Sequence, residues 1–152
     1  MKVRNERFIR TDVTVTSQKE LFEMMAELLY DEQLVKEDYL QALMKREEAY
    51  PTGLQIHGVG FAIPHTDVAY VKQSGICFVS LKHPVMFKSM EDPSKEIPVR
   101  YVFMLAMHQA HDQLTALQNL MRLFQDCVSV QKLGECEQAE DVLAVLARAG
   151  LA

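Results

Sequence analysis

Gly58-Val-Gly-Phe-Ala-Ile-Pro-His-Thr-Asp67 is an apolar run that stops at a proline and then presents a histidine. The run from Val59 to Ile63 has the length and near-continuous apolarity of a buried strand. Pro64 cannot extend a hydrogen-bonded ladder and fixes its own φ, so His65 is predicted at a defined exit from a sheet. Open α/β sheets commonly build their sites at strand ends. Thr66 and Asp67 can orient the imidazole or cap the following turn through their side-chain oxygens. On spacing alone, a surface or structural histidine accounts for the pattern more readily than a reactive one.

Outward from this stretch, the apolar pattern alternates between two periods. Phe8 to Val15 reads as a short strand. Ser17 with Glu20 forms a capping box, and Leu21, Met24, Met25, Leu28 and Leu29 follow at helical spacing. A second helix is predicted from about Lys36 to Glu48, with Tyr39, Leu40, Leu43 and Met44 on one face, stopped by Pro51 and Gly53. Gly75 to Leu81 and Val99 to Met107 are further buried-strand candidates, separated by a turn-rich piece, Met90 to Pro98. Leu114, Leu117, Met121 and Phe124 mark an amphipathic helix opening near Asp112, and a last helix should cover Ala139 to Ala149 before Gly150. No repeat or composition shift divides the chain. The expected architecture is a single α/β domain over residues 1–152, a mixed sheet flanked by helices.

Composition narrows the function classes. With 16 basic and 21 acidic residues the net charge is −5, which argues against nucleic acid, because a phosphate backbone needs a basic face. Met1 to Thr16 has no signal-peptide core and no later window approaches a membrane span, so a cytoplasmic protein is expected. Cys77, Cys127 and Cys136 are odd in number and lack CxxC spacing, the pattern of reduced thiols. No Walker loop, GxGxxG or GxSxG elbow occurs, and no cofactor is expected. His108 and His111, at i and i+3, could join in a zinc site, but no third ligand is evident and no metal is expected.

Arg46-Glu-Glu-Ala-Tyr-Pro-Thr-Gly-Leu54, followed after a short gap by Gly60-Phe-Ala-Ile-Pro-His-Thr-Asp67, resembles the paired signature of the fructose/mannitol/galactitol class of phosphotransferase-system (PTS) enzyme IIA domains. Two motifs in this order and separation are far more specific than either alone. The resemblance continues through Met90-Glu-Asp-Pro93, Val99 to Met107 and the helix after His111. Leu54-Gln-Ile-His57 and Pro64 to Asp67 are most similar to the galactitol-type branch.

The resemblance implies a phosphocarrier. His65 would be the phosphorylated nucleophile, accepting its phosphoryl group from phospho-HPr and delivering it to a cognate IIB component, with the membrane IIC component engaged only indirectly. Arg46 would bond the phosphoryl oxygens, and Thr52 would hydrogen-bond the phosphoryl group or the imidazole. In the mannitol and fructose branches of the class a second histidine sits immediately before the first leucine-like residue of the late helix, whereas here that position, before Leu114, is Gln113. Either His111, two residues earlier, or Gln113 as a neutral partner would assist His65. His57 and His83 are expected to be surface or packing residues. The alternative function is a regulatory IIA-like module whose phosphorylation state controls binding to a kinase or transcription regulator.

Overall fold

The computed structural model describes residues 2–152. Its elements run β1 (Ile9–Val13), α1 (Gln18–Asp31), α2 (Tyr39–Ala49), β2 (Gly53–Ile56), β3 (Val59–Ala62), β4 (Gly75–Lys88), β5 (Glu96–Ala106), α3 (Ala110–Gln125), α4 (Cys127–Glu135) and α5 (Ala139–Arg148). The five strands form one mixed sheet in the order β1-β4-β5-β3-β2. The β1/β4 and β3/β5 pairs are parallel, while β2/β3 and β4/β5 are antiparallel. The expected mixed sheet flanked by helices is the observed one.

Side chains of successive strand residues point to opposite faces, and aromatic rings fill one of them. Phe61, Phe78, Tyr101 and Phe103 share that face, where Phe124 of α3 stacks on Phe61 with ring centroids 4.0 Å apart. Cys77 and Met104 pair directly on the other face, which α1 and α2 cover. Tyr39 of α2 is fully buried there and donates its hydroxyl to the Leu105 carbonyl at 2.8 Å. This contact fixes α2 against the strand beside His65.

The start of α1 follows the predicted cap with one shift. Ser17 Oγ accepts from Glu20 N–H at 3.1 Å, but Glu20 reaches back to Thr16 N–H and Oγ1, one residue earlier than a strict capping box. Helix α2 begins at Tyr39 instead of Lys36, because Val35 bridges Val71 and the Lys36 N–H donates to the Tyr70 carbonyl. Extended pairing there competes with the helix.

Three departures reflect signals that periodicity does not carry. Strand β2 is short, and His57 and Gly58, at φ 52° and 79°, join it to β3 in a two-residue turn. Positive φ at both positions suits a hairpin, and glycine supplies the second without strain. Strand β4 continues past Leu81 to Lys88, and β5 begins at Glu96, ahead of the predicted Val99. The ladder shifts register between Ser80 and Val85, so Lys82-His83-Pro84 forms an irregularity within one hairpin and not its end. Helix α4 was not predicted; Val130 and Leu133 are its only buried residues, too sparse a pattern to read, and Asp126 caps it by accepting from Val128 N–H.

Gly60 permits the close approach of β3 to β5. A Cβ at this position would lie 2.0 Å from the Pro98 carbonyl oxygen, inside any allowed contact and against backbone that cannot turn away. Gly60→Ala should therefore lower unfolding stability by at least about 2 kcal/mol, measured by urea denaturation. A wild-type midpoint would show that the two strands separate freely.

Candidate functional site

Sheet register brings distant parts of the sequence to one edge. Gly53 pairs with Ala62, and the Ile63 N–H donates to the Thr52 carbonyl, which carries that ladder one residue further. His65 bridges Leu105 in parallel, with the Leu105 N–H donating to the Pro64 carbonyl at 2.9 Å. The ends of β3 and β5, the start of β4 and the first turn of α3 thus lie at the edge where α2 also ends.

His65 is half-buried, and its Nδ1 lies 2.6 Å from the Ile63 carbonyl oxygen. A carbonyl only accepts, so Nδ1 carries the proton and Nε2 keeps its lone pair. Burial pushes the imidazole pKa below its ordinary 6.5; the Ile63 carbonyl pulls it back, and the nearby Arg46 guanidinium lowers it again. The ring is consequently held neutral, with one nitrogen fixed and the other nucleophilic. Asp67 does not turn toward it: Asp67 Oδ1 accepts from Ala69 N–H and caps the 3-10 turn Val68–Tyr70.

Arg46 lies in the last turn of α2, exposed, with its guanidinium carbon 4.5 Å from the centre of the Tyr50 ring. Stacking of this kind limits the side chain's freedom while leaving its N–H edges available. Thr52 is buried, and its hydroxyl donates to Glu47 Oε1 at 2.7 Å while its N–H donates to Glu47 Oε2 at 2.8 Å. The hydroxyl proton expected to serve the phosphoryl group or imidazole is thus directed at Glu47. Sequence reading passed over Glu47, one of two adjacent glutamates in the motif. Its signal was only that a carboxylate sits on the apolar side of α2, four residues after Leu43, which is also buried.

The late histidines diverge. His108 Nδ1 lies 3.1 Å from the Val71 carbonyl and its N–H donates to Ser74 Oγ, which tie it to the loop before β4. His111 is exposed in the first turn of α3. Gln113 is half-buried, and its Oε1 is a buried acceptor with no hydrogen-bond partner among the described residues. Such a group is costly unless something binds it. Among the described residues no group of three His, Cys, Asp or Glu side chains is placed to hold a metal ion. His57 and His83 are exposed on the β2–β3 turn and the β4 irregularity.

Comparison with known proteins places this geometry in a family. The model for "Phosphoenolpyruvate-dependent sugar phosphotransferase system, EIIA 2" matches residues 2–149. The galactitol-specific EIIA component of Escherichia coli K12 is 25% identical over 126 residues, 83% of each chain. An ascorbate-specific EIIA component from Salmonella paratyphi A is 26% identical over 145 residues, 95% of this chain and 92% of that one. Transcriptional regulator ManR of Bacillus subtilis is 31% identical over 115 residues, 74% of this chain and 16% of the regulator. Enzyme IIAMTL, solved in complex with phosphorylated enzyme IIBMTL from Escherichia coli, has the same fold, with TM-score 0.78, 23% identity, and coverage of 97% of this chain and 99% of that one. No helix among the described residues is long and apolar enough to cross a membrane.

The buried carboxyl of Glu47 makes stability depend on pH. Burial raises its pKa from 4.5 to about 7, against the two Thr52 bonds that lower it. Between those values the unfolded chain has released a proton that the folded chain keeps, so this group's contribution is fully present below 4.5 and is lost as pH rises through about 7. His65, with its depressed pKa, acts with the opposite sign, so the comparison must be between proteins. Relative to wild type, Glu47→Gln should lose this decline in urea midpoint between pH about 5 and about 8. Identical pH slopes in both proteins would mean that Glu47 titrates as an ordinary carboxyl.

Proposed function

The chain belongs to the EIIA 2 family of the phosphoenolpyruvate-dependent sugar phosphotransferase system, a phosphoryl-transfer component of sugar or polyol uptake, and we propose that His65 is its carrier residue. It accepts a phosphoryl group from phospho-HPr and passes it to a cognate IIB component in the cytoplasm. The observation that carries this reading is the Nδ1 contact with the Ile63 carbonyl, which leaves Nε2 as the free nucleophile beside Arg46.

The Nε2 lone pair attacks phosphorus as the bond from phosphorus to the donor's histidine nitrogen breaks, and that nitrogen keeps the bonding pair. His65 becomes a phosphoimidazole that still holds its Nδ1 proton, and the positive charge gained by the ring falls against the Ile63 carbonyl dipole. Arg46 stabilises the equatorial oxygens during in-line transfer, a reaction that depends mainly on placement and charge. Transfer onward reverses these steps with a IIB side chain as nucleophile. The IIB role is supported by the complex in which the IIAMTL relative was solved. The cargo is a galactitol-like polyol, supported by the Leu54–His57 branch resemblance and the galactitol-specific relatives. The ascorbate-specific relatives stand equally near in identity, so reconstitution with each type of IIB is the test of cargo.

At the second position, Gln113 is favoured over His111 by its unpartnered buried amide. Rotation of the amide through 180° would offer its N–H2 to a phosphoryl oxygen from the same place. The match to ManR supports a second reading, a regulatory module phosphorylated at the same histidine. Rapid onward transfer to IIB favours the carrier, and acceptance without onward transfer favours the regulator.

His65→Ala should abolish acid-labile, base-stable labelling by phospho-HPr while the circular dichroism spectrum stays native; full labelling would move the site elsewhere. Arg46→Ala should slow labelling about 100-fold, measured by rapid quench, and an unchanged rate would leave the guanidinium a solvated surface group. In the same assay Gln113→Ala should lose more rate than His111→Ala. The reverse order would make His111 the partner.

A further inference from the structure

We propose that Glu47 is a positioning residue for His65, acting through Thr52 and Ile63 on the carbonyl that selects the imidazole tautomer. This rests on the reading of His65 as the phosphoryl acceptor. Both Glu47 oxygens are committed to a single residue: Oε2 accepts from Thr52 N–H and Oε1 from Thr52 Oγ1. The Thr52 carbonyl in turn accepts from Ile63 N–H at 3.4 Å, and the Ile63 carbonyl accepts from His65 Nδ1 at 2.6 Å. The hydrogen bonds are joined through the backbones of Thr52 and Ile63, and together they run from the end of α2 to the imidazole.

Mechanically, this clamp sits where the backbone is otherwise weakly held. The helix stops at Ala49, Tyr50 closes it by donating to the Arg46 carbonyl, and Pro51 has no N–H to offer. Thr52 is therefore the first residue after the break whose N–H can be anchored, and Glu47 anchors it at two points. Its position also sets the roll of the helix end. Residues i and i+1 on a helix project about 100° apart, so burying the Glu47 side chain turns Arg46 out to the rim beside His65. One carboxylate thus governs both the nucleophile's carbonyl partner and the direction of the guanidinium.

Filling the space alone would be served at least as well by an apolar side chain. Glu47 is only 5% exposed, and a carboxylate in such a place costs folding free energy that an aliphatic group of the same volume would not. It forms one wall of a cavity of about 500 Å³ that also holds Lys19 of α1, Lys45 and Glu48 of α2, Lys88 of β4 and Glu96 of β5. None of the three lysines pairs with it: its oxygens are spent on Thr52. The geometry requires two acceptors aimed at one N–H and one O–H, which Glu supplies and Leu does not.

The test uses the full chain labelled with 15N at histidine. The His65 tautomer is read from imidazole nitrogen shifts, and the kinetics of phosphorylation by phospho-HPr are read separately. Glu47→Leu removes both acceptors at nearly constant volume and should shift His65 from the Nδ1–H tautomer toward a mixture. It should slow the phosphorylation step about 10- to 100-fold with the KM for phospho-HPr unchanged. Glu47→Gln, which keeps one acceptor for the N–H and offers its amide to Oγ1, should restore most of the rate. Thr52→Val provides the same test should Glu47→Leu fail to fold, with Thr52→Ser as its rescue. A folded Glu47→Leu or Thr52→Val protein with wild-type tautomer and rate would overturn the proposal while leaving His65 as carrier. Equal slowing in Glu47→Gln and Glu47→Leu would overturn it by assigning the effect to charge. Wild-type protein that takes no label at His65 would remove the reading beneath it, and the proposal with it.

Discussion

A single hydrogen bond, from His65 Nδ1 to the Ile63 carbonyl at 2.6 Å, fixes which nitrogen of the neutral imidazole is free. It reaches across Pro64, whose ring fixes φ in the backbone between the two partners. With Nδ1 engaged, the imidazole has one nitrogen left, and burial keeps that nitrogen unprotonated below the ordinary histidine range. The pKa effect and the tautomer act in the same direction. The first maintains the neutral ring and the second decides which nitrogen of that ring is free.

The rest of the fold can be understood as support for that bond. Parallel pairing of β3 with β5 carries His65 to the level of Leu105, whose N–H donates to the Pro64 carbonyl and whose own carbonyl anchors Tyr39 of α2. Antiparallel pairing of β2 with β3 brings Thr52 beside Ile63. Helix α2 therefore meets the site twice, through the core by Tyr39 and at its end by Glu47, so Arg46 is carried on a helix fixed at both points. His65 and Thr52 themselves lie on connections, after β3 and before β2, and the packed elements on either side hold those connections in place.

Much of this was legible in the sequence, and for specific reasons. Val59 to Ile63 and Val99 to Met107 read as strands because buried strands have continuous apolar runs, and Leu21 to Leu29 read as a helix because its cap and its period agree. His65, Arg46 and Thr52 stood out through the paired motifs, not through spacing. What escaped notice depended on three-dimensional pairing. The β4–β5 hairpin was cut short because Lys82-His83-Pro84 looks like an end when read alone, though the ladder resumes at Val85. Glu47 escaped because a carboxylate in a charged helical turn usually faces water, and only the fold shows both its oxygens turned inward to Thr52. The orphaned Gln113 amide is likewise visible only once the helix has been packed.

The central claim is an atomic one, that phosphorus bonds to Nε2 of residue 65, and it can be read directly. In 15N-histidine protein phosphorylated by phospho-HPr and kept at alkaline pH, phosphorus–nitrogen coupling identifies the bonded nitrogen. The account predicts coupling to Nε2 of His65 alone, with Nδ1 still protonated. Coupling to Nδ1 of His65, or to any nitrogen of His108 or His111, would contradict it.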